Sequence, residues 1–213
     1  MSFFKFTPDL TAESVFMRMS VGHDNLIQDC VERIQNAIRN NATAHILFLG
    51  PRGIGKTHIV LQIFYRLSNS GMITPIRLAE EEYSIFSIDD LCRRILEKLG
   101  APNHDKNAFM YCRNELNELK VSGKPVVLFI DNIQMLFKQI KPDLGKLRSI
   151  IQSDESLHIV GSSLTYSDLI SSPDEPFYRY FDVLFLQGLD RKDILTKHTP
   201  TCLLYTSPSP RDS

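Results

Sequence analysis

The sequence predicts an α/β three-layer sandwich, a five-stranded parallel sheet with helices on both faces. Three observations predict it. Five short apolar runs alternate with stretches of helical periodicity along the chain. The run VVLFID at 126–131 is apolar for five residues without a polar break, as in a strand covered on both faces. A glycine-rich octapeptide, GPRGIGKT at 50–57, falls between one such strand and a helix.

Each element follows from its residues in order. Residues 1–20 are mixed, with Phe3, Phe4 and Phe6 as packing anchors. From Asp24 to about Asn40, the residues Leu26, Ile27, Cys30, Val31, Ile34 and Ile38 recur at helical spacing, with Asp24 as N-cap and Asn40-Asn41 as the stop. His45 to Leu49 is a short apolar run ending at Gly50 and predicts a buried strand. Lys56 to Leu67 predicts a helix with Ile59, Val60, Ile63, Phe64 and Leu67 inward, and Ser68 to Gly71 a turn. Thr74 to Leu78 predicts the second strand. Ile88 to Leu99 is amphipathic and stops at Gly100, and Asn107 to Lys120 continues the helical pattern. Val126 to Ile130 is the clearest strand. A helix over Leu144 to Gln152, strands at Leu157 to Val160 and Phe181 to Leu186, and a helix capped by Asp190 complete the series.

Composition bounds the function. The chain has 213 residues, 43% hydrophobic and 23% charged, which suits one domain or a domain plus a fragment of another. With 24 basic and 25 acidic residues the formal charge is −1, so any nucleic-acid contact is local and is not supported by this segment. No apolar run reaches the roughly 18 to 20 residues of a membrane span, and MSFFKFTPDL is too short in apolar residues for a secretory signal. Cys30, Cys92, Cys112 and Cys202 show no CxxC spacing and read as reduced thiols, which predicts a cytoplasmic protein. The stretch CLLYTSPSPRD at 202–212 matches, residue for residue, the translation of a transposon-type sequencing adapter. The natural sequence is therefore expected to end between about Thr196 and Thr201, with 202–213 set aside from fold reasoning.

GPRGIGKT carries the chemistry. Gly50, Gly53 and Gly55 permit backbone conformations that a Cβ would block. Backbone N–H groups from about Gly53 to Thr57 can then point at phosphate oxygens, reinforced by a helix N-terminus. Lys56 is expected to reach the β- and γ-phosphates, and the Thr57 hydroxyl to hold Mg²⁺. Pro51, Arg52, Ile54 and His58 complete the loop and its exit into the helix. VVLFID delivers Asp131 to a strand tip, where its carboxylate can face the same Mg²⁺ opposite Thr57.

On these residues the sequence resembles the AAA+ and STAND ATPases, P-loop NTPases of the ASCE type, from about Val21 to Asp193. GPRGIGKT is similar to the family's Walker A loop. Val21-Gly22-His23-Asp24 resembles the VGRE entry segment, with His23 in place of Arg. Asp131-Asn132-Ile133-Gln134 resembles the second nucleotide motif, and Ile159-Val160-Gly161-Ser162-Ser163 a strand ending in a polar sensor. Pro176-Phe177-Tyr178-Arg179-Tyr180-Phe181, then Leu186-Gln187-Gly188-Leu189, resemble the entry to the last strand and to a helical lid. The pattern is most similar to ATPases near the origin-recognition and STAND groups. The resemblance implies a core over 21–189, the start of a lid over 190–201, ATP and Mg²⁺ as ligands, and hydrolysis of ATP to ADP and phosphate. It implies γ-phosphate sensing by Ser162 or Ser163, an adenine-side contact from His23 and an arginine finger at Arg179. It also implies a protein partner or self-assembly through further C-terminal domains.

One departure stands out. The family's catalytic glutamate follows the Asp, and that place is Asn132. An amide can orient water but accepts a proton poorly. Hydrolysis is then slow or draws on another group, such as Glu80, Glu81 or Glu82 near the second strand; these also read as a solvated acidic turn. A nucleotide-dependent scaffold with little turnover is the first alternative. A small-molecule P-loop kinase would need an acceptor base and an Arg-rich lid soon after the loop, and an initiator-like DNA binder a basic C-terminal module. Arg93-Arg94 and Lys138 to Lys141 read as solvated helix faces.

Overall fold

The computed structural model describes residues 23–78, 84–102, 107–153, 157–165, 172–173 and 175–188. The anchors Phe3, Phe4 and Phe6, the segment Val21-Gly22, Glu80 to Glu82, and everything from Leu189 onward, including the expected lid and the tail, lie outside the described residues.

Five strands, β1 (His45–Leu49), β2 (Thr74–Leu78), β3 (Val126–Ile130), β4 (Leu157–Ser163) and β5 (Asp182–Phe185), form one sheet in the order β2-β3-β4-β1-β5. Every pairing is parallel. The connecting helices are α1 (Asp24–Arg39), α2 (Lys56–Ser68), α3 (Ile88–Leu99), α4 (Ala108–Val121), α5 (Ile133–Gln139) and α6 (Leu144–Ser153). Successive residues of β3 point to opposite faces. Val126, Leu128 and Ile130 join the core beneath α3 to α6, while Val127 and Phe129 join the one beneath α1 and α2. The layers are thus helices, sheet, helices, as the run of uninterrupted apolar residues requires.

Local chemistry sets the helix ends. At α3, Ser87 Oγ accepts the Asp90 N–H at 3.1 Å while Asp90 Oδ2 accepts the Phe86 N–H at 3.1 Å. Gly100, at φ 69°, closes the helix in the left-handed region. Three expectations need correction. Asp24 is the first helical residue of α1, and the cap position belongs to His23 at φ 61°, with no side-chain hydrogen bond to the helix. Asp24 instead sits on Arg66 of α2 at 3.3 Å. Strand β4 runs on to Ser163, because Gly161, Ser162 and Ser163 pair with Leu47, Phe48 and Leu49. Helix α5 was not expected; it is only seven residues long, and its buried Ile133, Leu136 and Phe137 hold it to the core. Among the described residues no helix is long and apolar enough to cross a membrane.

Two histidines sit buried in the sheet at its N-terminal edge. His45 packs against the Tyr180 and Phe181 rings, and neither of its ring nitrogens has a partner. His158 Nδ1 accepts the Ala44 N–H at 3.2 Å. Burial first, then the neighbouring His158, pushes His45 down to about 4. Burial and Lys120 do the same to His158, also to about 4. Unfolded imidazoles take up protons below about pH 6.5, whereas the folded ones resist until about 4. The unfolded state therefore binds more protons across that window, and stability falls as pH falls through it. In denaturant titrations at several pH values, His45→Phe is expected to lose stability less steeply between pH 6.5 and 4 than the parent; an identical slope would exclude His45 as a source of the dependence.

Candidate functional site

The loop over 50–55 leaves the tip of β1 and enters α2. Gly53 and Gly55 adopt φ 83° and 101°, and no atom lies within 4 Å of a Cβ placed on either. Their requirement is conformational. Gly50 is different: a Cβ there would meet Ile54 Cγ2 at 3.1 Å and the Leu186 carbonyl oxygen at 3.4 Å. Leu186 reaches this place because its N–H donates to the Leu49 carbonyl at 2.7 Å, tying the end of β5 to the end of β1. Ile54 N–H closes back on the Pro51 carbonyl at 3.4 Å.

Lys56 opens α2 and is 6% exposed. Its Nζ donates to the carbonyls of Gly50 at 2.7 Å and Pro51 at 2.9 Å, so the ammonium lies inside the curl of the loop. Pro51 and Arg52 are exposed on the outer side. The next residue, Thr57, donates from Oγ1 to Asp131 Oδ2 at 2.5 Å. Asp131 follows β3, and its other oxygen, Oδ1, accepts the hydroxyl of Ser162 from β4 and the Asn132 N–H at 3.2 Å. The Asn132 N–H is shared with Ser162 Oγ at 3.1 Å. Ser162 is fully buried. Its neighbour Ser163 turns away and donates to the Thr165 carbonyl at 2.8 Å. Lys56, Thr57, Asp131, Asn132 and Ser162 therefore meet at one end of the sheet, above the tips of β1, β4 and β3.

His58 follows on α2 and is half-buried. Burial first, and His23 second, lower its pKa below the ordinary imidazole value. His23, at the start of α1, is thus drawn to the same end, and its Nε2 is buried without a hydrogen-bond partner among the described residues. Arg179 lies at the opposite, N-terminal edge of the sheet, just before β5, where its guanidinium covers the Tyr178 ring at 5.2 Å. It adopts φ 58°. Arg93 and Arg94 pair with Asp90 and Glu97 on their own helix face. The bonds that Ser162 and Asn132 make to Asp131 had no signal in spacing. Gln134, which donates from Nε2 to Asn132 Oδ1 at 3.4 Å, had none beyond its place in the motif.

The donor set is one of hard oxygens, a hydroxyl and a carboxylate side by side, which suits Mg²⁺ and not a thiophilic metal. The lysine inside a left-handed glycine turn at a helix start suits a phosphate chain.

Residues 26–165, more than half of the chain, match the family model described as AAA domain. The chain belongs to the AAA domain family. No curated protein matches the sequence. Among solved structures, the Aeropyrum pernix ORC2 protein in its ADPNP-ADP complexes superposes with TM-score 0.65 at 12% identity, covering 87% of this chain and 54% of that one. The Aeropyrum pernix ORC1 protein in complex with DNA gives TM-score 0.65 at 16% identity, over 87% of this chain and 51% of that one. Cdc6p from Pyrobaculum aerophilum gives 0.61 at 14% identity, over 88% and 53%. At these identities the likeness is one of fold, and the chain spans about half the length of these structures. The expected AAA+ P-loop architecture, in the form seen in origin-recognition and Cdc6 proteins, is therefore present in this AAA domain.

The loop geometry makes a separable test. Alanine at Gly55 must adopt φ near 101°, at about 1–3 kcal/mol of strain, although space is free. Gly145 lies inside α6 with an ordinary helical backbone and open space, so alanine there is expected to stabilise by roughly 0.5–1 kcal/mol. Urea unfolding of the two variants is expected to shift in opposite directions.

Proposed function

We propose that this AAA domain binds ATP with Mg²⁺ in the loop from Gly50 to Thr57 and uses it chiefly as a conformational switch, with slow hydrolysis to ADP and phosphate. The observation that carries this reading is the Thr57–Asp131 pair at 2.5 Å, set beside a lysine enclosed by the glycine loop. The N–H groups of Gly53, Gly55, Lys56 and Thr57 are assigned to the phosphate oxygens, with Pro51, Arg52 and Ile54 shaping the loop, the Ile54 N–H closing back on Pro51, and His58 flanking it. Lys56 neutralises the β- and γ-phosphates from inside the curl. Thr57 and Asp131 would hold Mg²⁺, which would supply neutralisation of the phosphate charge. Ser162 couples the tip of β4 to the Asp131 carboxylate and senses the terminal phosphate. Asn132 occupies the position of a general base but cannot take the proton of an attacking water, which supports switching over rapid turnover. The same residue favours a second reading, a scaffold that binds nucleotide without turning it over.

The core over 21–189 and the start of a lid over 190–201 are proposed as the units that move with nucleotide state, passing it to a protein partner or to self-assembly. DNA is bound by the ORC1 structure above, but a charge of −1 gives this chain no support for the same role.

Binding of a fluorescent ATP analogue at millimolar Mg²⁺, with phosphate release alongside, tests both readings. Lys56→Ala is expected to weaken binding by about tenfold or more. Asn132→Glu is expected to raise phosphate release at least about tenfold over the parent. An unmodified protein that ignores the analogue would defeat the nucleotide reading; detectable turnover lost in Lys56→Ala would defeat the inert scaffold.

A further inference from the structure

Asn132 is held at two points. Its N–H is fixed on Asp131 and Ser162, at left-handed φ 48° and ψ 49°, and its Oδ1 accepts from Gln134 Nε2 at 3.4 Å. Its Nδ2 makes no hydrogen bond among the described residues and is not sealed from solvent. Gln134 Oε1, in contrast, is sealed and has no partner.

That asymmetry decides which way the amides face. Turning both over would let Asn132 Nδ2 donate to Gln134. The Gln134 NH2 would then fill the sealed position with two unmet N–H groups. A buried carbonyl oxygen without a partner is the smaller penalty. Asn132 Oδ1 therefore faces Gln134, and its NH2 is left without a hydrogen bond among the described residues.

We propose that Gln134 is a positioning residue that turns Asn132 into a hydrogen-bond donor for the terminal phosphate of a bound nucleoside triphosphate, so that the site tells triphosphate from diphosphate. This rests on the nucleotide reading above. Phosphate oxygens only accept, and an N–H directed at a charged oxygen makes one of the stronger hydrogen bonds. The Asn132 oxygen, the group that could orient a water, is turned toward Gln134, and the NH2 is the group left outward. The amide reads the phosphate through its N–H groups, donors that a carboxylate lacks.

Dissociation constants of the full chain for ADP and for the β,γ-imido analogue of ATP, at millimolar Mg²⁺, test this. The parent is expected to prefer the triphosphate analogue by about tenfold. Above the pKa of its carboxyl, Gln134→Glu offers only acceptors, so Asn132 must turn its NH2 toward it and present its oxygen to the phosphate; the ratio is therefore read at high pH. The preference is expected to fall about tenfold, with the loss on the triphosphate arm. Gln134→Leu leaves Asn132 free to rotate and is expected to fall between the two. An unchanged ratio in Gln134→Glu overturns the proposal. In the parent protein, the Asn132 side-chain amide resonance, assigned by its disappearance in Asn132→Ala, is expected to shift with the triphosphate analogue and not with ADP. Equal shifts with both also overturn it. A parent that binds neither compound overturns the nucleotide reading itself, a result distinct from equal binding of both.

Discussion

The Asp131 carboxylate joins three elements that the chain delivers separately. Its two oxygens take the Thr57 hydroxyl from the first turn of α2, the Ser162 hydroxyl from the end of β4, and the N–H that opens α5. The strands β1 and β3 are not neighbours, since β4 lies between them. Strand spacing alone therefore leaves roughly 10 Å between the tip of β1 and that of β3. The loop over 50–55 closes this distance by carrying the chain across the end of β4. That crossing needs β4 to finish in small residues, and it does, with Gly161, Ser162 and Ser163. A Cβ on Gly161 would touch the Ile133 and Leu47 side chains at 3.4 Å, van der Waals contact with α5 on one side and β1 on the other. The sequence Gly-Ser-Ser is thus as much a part of the site as the glycines of the loop.

The enclosed lysine imposes a second constraint. An ammonium taken out of water is costly unless its donors are met, and the Gly50 and Pro51 carbonyls meet two of them. Those carbonyls turn inward only because Gly53 and Gly55 accept left-handed backbone. With the carbonyls committed to Lys56, the opposite side of the loop is the one left for its N–H groups. A desolvated cation acts on a neighbouring charge more strongly than the same cation at a solvated surface, because little water screens it. Fold and electrostatics are one arrangement here: the glycines let the loop curl, the curl houses the lysine, and the lysine holds the curl.

Much of this was legible in the sequence because burial on both faces leaves a plain signature. The central strands β1 and β3 and the start of β4 appear as apolar runs, and β3 in particular could be little else, whereas the edge strands β2 and β5 carry polar residues and are only partly buried. The loop was legible because its chemistry requires glycines at particular places followed by Lys and Thr. Strand β4 was legible by pattern only to Val160; its last three residues look like a loop, and only pairing with β1 shows that they are strand. Helix α5 was hidden because seven residues are too few for periodicity to show. His23 displaced Asp24 from the cap because Arg66, distant in sequence, pairs with the aspartate. Asn132 was visible as a departure, but its bond to Gln134 depends on backbone dihedrals that no spacing encodes.

Those dihedrals also bear on why an amide stands beside Asp131. At φ 48° and ψ 49° the backbone is in the left-handed region, which asparagine and aspartate tolerate better than other residues with a Cβ. Glutamate is disfavoured there, so the local turn into α5 already works against the usual base. Aspartate would suit the backbone, and its oxygens could equally accept from Gln134. It would, however, place a second carboxylate next to Asp131, whose Oδ1 is already within reach of the residue's own N–H at 3.2 Å. A second carboxylate would add negative charge directly beside Asp131. Asparagine meets the backbone requirement, keeps the contact with Gln134, and adds no charge. Asparagine at 132 thus satisfies a left-handed turn, a neighbouring acid and a neighbouring amide at once.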